Sequence, residues 1–142
     1  MFEIPDWPYA LGAPAVSGVL RRSPEDFEVE EIARIKPSGE GAHLWLWVEK
    51  RLANTDWVAR QLAAAYGCPP RDVGYAGLKD RHAVTRQWFS LPLSENAPQQ
   101  LERFHIEGVK VLEVCRHTRK LKRGTLDGNR FKLVIREFSG IE

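Results

Sequence analysis

The densest run of side chains able to do chemistry is Gly74-Tyr75-Ala76-Gly77-Leu78-Lys79-Asp80-Arg81-His82-Ala83-Val84-Thr85-Arg86-Gln87, in which one carboxylate, Asp80, stands between two cations. Lys79 and Arg81 favour its ionised form. An ionised carboxylate can attack an electrophilic carbon and form a covalent intermediate. The same cations suit a nucleic-acid phosphate. Gly74 and Gly77 allow the tight backbone geometry that presents a reacting side chain. On spacing alone, a solvated charged turn between a helix and a strand is the commoner meaning of such a run. Lys79 either orients Asp80 or stays solvated; orientation ranks first, because a nucleophile needs a fixed rotamer.

A second run, Arg116-His117-Thr118-Arg119-Lys120-Leu121-Lys122-Arg123, holds five Lys or Arg residues in eight positions. Arg116, Arg119, Lys120, Lys122 and Arg123 are therefore candidates for an RNA backbone, against the alternative of a solvated loop. The charge of the 142-residue chain is only +2, so a case for nucleic acid rests on these local patches. Trp45 and Trp47 could stack on bases, although an alternating pair inside an apolar strand more often belongs to a core. Cys68 and Cys115 form no C-x-x-C pair, and His43, His82, His105 and His117 add no metal-ligand spacing, so no metal is expected.

These residues need a framework. With 43% hydrophobic and 28% charged residues the chain falls in the globular range and is long enough for a real core. No apolar run approaches a membrane span and the start lacks a signal-peptide pattern, which points to a cytoplasmic protein without membrane attachment. Pro5, Pro8 and Pro14 mark residues 1–15 as an irregular amino-terminal arm lying on the domain, which occupies residues 16–142. Alternation predicts a strand at 26–32 with an irregularity at Glu31 or Ile32. A central strand is expected at 42–48, where Leu44, Leu46 and Val48 share one face and Trp45 and Trp47 the other. Asn54 or Thr55 starts a helix whose apolar positions Val58, Leu62, Ala65 and Tyr66 run up to Gly67. Strands at 84–92, 109–116 and 130–136 and a short helix near 98–105 complete an α+β fold: a mixed, largely antiparallel sheet with helices packed on one side. Asp127-Gly128-Asn129 reads locally as a hairpin turn.

The segment from Gly74 through Gln87 and on to Trp88-Phe89-Ser90 resembles the signature of the tRNA pseudouridine synthase D (TruD) family. Three further stretches resemble that family in the same order: Ser23-Pro24-Glu25-Asp26-Phe27-Glu28-Val29-Glu30-Glu31-Ile32; Trp47-Val48-Glu49-Lys50 with Asn54-Thr55; and Leu121-Lys122-Arg123-Gly124-Thr125-Leu126-Asp127-Gly128-Asn129-Arg130-Phe131. The resemblance implies a pseudouridine-synthase-like fold and a cofactor-free isomerase acting on tRNA, in this family typically at uridine 13. It implies Asp80 as the catalytic aspartate, Phe27 as the aromatic that meets the target base, and Asn129 as a polar support, with Lys79 beside them and Arg81 toward the backbone. Taken alone, Phe27 in a strand pattern is more often a core residue. Members of the family continue well beyond Arg136, so the chain corresponds to the amino-terminal portion of their catalytic domain. Exposed sheet surface would then favour self-association. The rival reading is a catalytically incomplete RNA-binding module.

Overall fold

The computed structural model describes residues 5–140. A sheet of strands ordered β6-β3-β5-β2-β7 forms its centre. These are β2 (Phe27–Ala33), β3 (His43–Arg51), β5 (Val84–Pro92), β6 (Val109–His117) and β7 (Leu126–Leu133), and the two-residue β4 (Gly74–Tyr75) also pairs with β5. The β2–β5 pair is parallel; the others are antiparallel. A separate antiparallel ribbon joins β1 (Ser17–Val19) to β8 (Arg136–Ser139). Arg136 also grips the buried Asp26 carboxylate through two hydrogen bonds of 2.6 and 2.9 Å, tying this ribbon to the start of β2. Residues 5–15 of the amino-terminal arm contain no strand or helix and are exposed; the part at residues 1–4 lies outside the described residues.

Helices α1 (Thr55–Tyr66) and α2 (Ala97–Glu102) cover one face of the sheet. Val58, Leu62 and Tyr66 of α1 pack there against Leu44, Leu46 and Val48 of β3 and Phe89 and Leu91 of β5. Fully burying such a side chain contributes roughly 1.5–3 kcal/mol. Gly67 ends α1 in the left-handed conformation, φ 78°, and returns its N–H to the Ala63 carbonyl at 2.9 Å, a cap that glycine adopts without a Cβ penalty. The other face carries a smaller core in which Trp45, Trp88 and Leu121 are buried, with Trp47 packed against them. The alternating tryptophans of β3 are thus core residues.

The architecture is the mixed, largely antiparallel α+β sheet with helices on one side that the alternation predicts. Two local readings need correction. The last strand of the main sheet begins at Leu126 rather than near Arg130, because Asp127-Gly128-Asn129 runs through it: Gly128 has φ 159°, an extended conformation, and Asn129 pairs with Glu31. The strand then stops at Leu133, and Arg136 belongs to β8. The irregularity expected in β2 is present, between Ile32 and Ala33.

The register places the candidate residues. Because Glu28 pairs with Val84 and Glu30 with Arg86, the odd-numbered residues of β2 share the helix-covered face with Thr85 and Gln87. Pairing with β7 adds Asn129, Phe131 and Leu133 to that face. The α helices pack on the β3 and β5 side of it. On the β2 side Phe27 and Val29 pack instead on Ala83, at the end of the loop that holds Asp80.

Candidate active site

Residues 76–83 link β4 to β5 without strand or helix pairing, so side chains from the surrounding elements must hold them. The Gln87 amide donates to the Gly77 carbonyl at 2.8 Å and accepts the Thr55 hydroxyl at 2.9 Å. Thr55 in turn accepts the Lys79 N–H at 2.9 Å. From below, the Lys50 ammonium donates to the carbonyls of Ala53, Lys79 and Asp80 at 2.7, 3.3 and 3.1 Å. Each of these side chains is at most 1% exposed, so water does not substitute for the bonds. The loop therefore has a rigid root although it lacks secondary structure.

From that root successive side chains diverge. Asp80 points outward and is exposed, whereas Lys79 turns inward to the Glu31 carboxylate, 3.4 Å away, in an ion pair whose side chains are 3% and 1% exposed. Glu31 stands where β2 has left β5 and β4 has yet to join it, and its other oxygen accepts the otherwise open Trp88 N–H at 3.3 Å. Burial pushes the Glu31 carboxyl up from the usual range, against the opposing pull of Lys79. Of the two cations next to Asp80 in sequence, Lys79 is thus engaged elsewhere. The charge beneath the loop belongs to Lys50, which Asp80 holds up while burial pulls it down to about 8.

Asp80 opens onto a cleft of about 470 Å³ shared with Trp57, Arg60, Arg81 and Leu78. Asp56 and Arg60, an ion pair at 2.8 Å, form its common wall with a second cavity of about 550 Å³. The second cavity brings together Arg60, Arg71, Lys120, Lys122 and Arg123 around Tyr75. Arg123 lies 3.9 Å above the Tyr75 ring and donates to its hydroxyl at 2.6 Å; burial pushes that phenol up. Lys120 donates to the Arg71 carbonyl. Among the described residues Arg71, Lys120, Lys122 and Arg123 make no ion pair, so their charge is free for a polyanion. Gly74 lets the chain pass this point, since a Cβ there would collide with the Leu121 carbonyl and the Ser90 hydroxyl.

The sequence candidates therefore fall into groups. Lys120, Lys122 and Arg123 line the basic cavity and Arg81 the Asp80 cleft. Arg116 lies elsewhere, donating to the Gly41 carbonyl at 3.0 and 2.7 Å, and the Arg119 side chain is exposed beyond a backbone carbonyl that accepts the Trp45 indole. Phe27 is 5% exposed, its ring stacked on Phe131 at 6.0 Å with the Arg21 guanidinium 4.2 Å over it. Asn129 sits opposite Glu31, with its buried Oδ1 unpartnered. Sequence reading missed Lys50, Trp57, Arg60 and Arg71. Lys50 alone left a signal, as the fourth inward position after Leu44, Leu46 and Val48. The described residues contain no group of three or more His, Cys, Asp or Glu placed to hold a metal ion, and no helix long and apolar enough to cross a membrane.

The mixed sheet with helices on one side is found in a known structure, and the sequence has known relatives. The family model for tRNA pseudouridine synthase D (TruD) matches residues 6–141, and the chain belongs to that family. It is 50% identical over 135 residues to a tRNA pseudouridine synthase D of Cellvibrio japonicus, covering 93% of this chain and 40% of that protein. A namesake from Methylococcus capsulatus is 48% identical over 136 residues, 96% of this chain and 38% of its own length. A solved structure from Methanosarcina mazei bearing the same family name superposes with a TM-score of 0.75 at 30% identity, covering 84% of this chain and 27% of that one. The chain thus spans about 40% of the length of the curated relatives it matches.

Proposed function

We propose that this chain carries the nucleophile-bearing part of a cytoplasmic tRNA pseudouridine synthase that isomerises uridine 13, with Asp80 as the nucleophile. The observation that carries the reading is the outward Asp80 carboxylate on a loop whose backbone is fixed by Gln87, Thr55 and Lys50. A nucleophile held in one geometry avoids the entropic cost of being positioned at the moment of reaction. Family membership and the free cations beside the cleft support tRNA as the substrate.

The chemistry needs no cofactor. The target nucleotide leaves its stack and is presented to Asp80. The bond from the ribose C1′ to the uracil N1 breaks, the base turns, C1′ bonds to C5, the proton on C5 leaves to solvent and N1 takes one up. Asp80 serves as the carboxylate that adds covalently during this exchange, and its bond to the substrate breaks again before pseudouridine is released, which restores the free carboxylate. Phe27 is the aromatic face for the base, which takes the place of Arg21 over its ring, and Asn129 offers its open carbonyl oxygen to a uracil N–H. Lys79 supports the loop through Glu31, while Arg81, Lys120, Lys122 and Arg123 meet the phosphates, joined by the peripheral Arg116 and Arg119.

Tritium release from tRNA bearing 5-tritiated uridine tests this directly. The chain releases tritium and Asp80→Asn does not. Binding of tRNA with no release from either protein would overturn catalysis by this chain. It would favour an RNA-binding segment.

A further inference from the structure

We propose that Lys50 is the positioning residue for Asp80, its buried ammonium fixing from beneath the peptide that carries the carboxylate. The inference rests on the reading of Asp80 as the nucleophile, and it assigns to β3 the task that the sequence suggests for Lys79.

The inward positions of β3 run Leu44, Leu46, Val48, Lys50. An apolar side chain at the fourth position would extend the core with no charge to desolvate; the lysine there is 1% exposed. Its hydrogen-bond partners are three carbonyls. Ala53 ties it to the turn before α1, and the other two, of Lys79 and Asp80, lie in the loop. Gln87 reaches the loop at the Gly77 carbonyl and Thr55 at the Lys79 N–H, whereas Lys50 reaches residue 80 itself.

Stability does not account for this charge. Burial pulls Lys50 down to about 8, so the folded chain holds the extra proton less tightly than the unfolded one. Stability from this group accordingly rises as the pH climbs from about 8 toward the ordinary lysine value of 10.5. The charged groups acting on it are Asp80 and Lys79, with Glu31 behind Lys79. Arg81 and His82 complete the charged part of the loop and are exposed. Its same-face neighbours Thr85 and Gln87 on β5, its β6 partner Val109 and Thr55 of α1 carry no charge.

Lys50→Met removes the ammonium and keeps the stem. Hydrogen exchange of amides 76–83 should quicken about 10-fold or more while α1 and β5 keep their protection. Tritium release at saturating tRNA should fall on the order of 100-fold with KM within about twofold, as expected when a reacting group is misplaced by an ångström. Unchanged loop exchange, or a loss confined to KM, would overturn the proposal. Asp80→Asn separates this inference from the reading it rests on: it abolishes release and leaves loop exchange as in the parent chain. Should the parent itself release no tritium, catalysis by the chain fails, while exchange still decides the role of Lys50. A measurement needing no variant guards against a misfolded Lys50→Met: the amide resonances of Lys79, Asp80 and Arg81 in the parent chain should shift together at a pH below the ordinary lysine value of 10.5. The absence of any common titration among them below that value would sink the clamp.

Discussion

The pair formed by Lys79 and Glu31 offers the sharpest test of how the site is built. At 3.4 Å and an effective dielectric constant of about 20, the attraction between unit charges is about 5 kcal/mol. Taking both groups out of water costs several kcal/mol per ion, so the pair as a whole contributes little net stability. Breaking one side is another matter. Lys79→Met leaves Glu31 buried with only the Trp88 N–H for a partner, and should cost about 3–5 kcal/mol. Glu31→Gln strands the ammonium and should cost a similar amount. The double variant strands neither charge and should return to within about 2 kcal/mol of the parent chain, giving a coupling energy of about 4 kcal/mol or more. Urea midpoints with an unchanged m-value measure all four corners of this cycle. A pH scan adds a sign. Burial raises the Glu31 carboxyl above 4.5, so the folded chain binds that proton more readily than the unfolded one, and stability from this group falls as the pH rises from 4.5 through the folded value. In Lys79→Met the opposing pull is gone, so the loss extends to higher pH. Additive single-variant costs would show that the two charges do not depend on one another, and would refute the account of Glu31 as the anchor of Lys79.

Two other outcomes follow from the surface. Lys122→Gln and Arg123→Gln should each lower the slope of log affinity for tRNA against log salt by about 0.7–1, and an unchanged slope for both would remove the basic cavity from the RNA path. Phe131, Leu133 and Ile135 are 57%, 51% and 50% exposed along and just beyond the edge strand β7, so the isolated chain should self-associate through that edge; light scattering that finds only monomer at high concentration would count against it.

Much of this fold was legible because the patterns are local. The 3.6-residue spacing of Val58, Leu62 and Tyr66 and the glycine after them mark α1, and the alternation in β3 separates its aliphatic face from its tryptophan face. The start of β7 was hidden, because Asp-Gly-Asn carries turn chemistry that pairing with β2 overrides. At the site, Asp80 and part of the basic cluster could be named from the sequence, but the direction of a side chain in an unpaired loop could not. Lys79 and Arg81 look equivalent beside Asp80; the buried carboxylate 48 residues upstream separates them. Arg60 and Arg71 joined the basic cavity only because α1 and the turn after it fold back beside Lys120 and Lys122. Such meetings between distant segments leave no local periodicity to detect.

The inward turn of Lys79 and the outward turn of Asp80 divide neighbouring residues between two kinds of selection. Asp80 is exposed and bears no weight in the core, so its loss should leave a folded protein with every cation of the basic cavity in place. If the chain binds tRNA as proposed, a cell holding both the parent and an Asp80 variant would then contain a stable competitor for the same tRNA. Substitution at Lys79 instead damages the fold and exposes the product to proteolysis. Dominant interference is therefore expected from changes at residue 80, and simple loss from changes at residue 79.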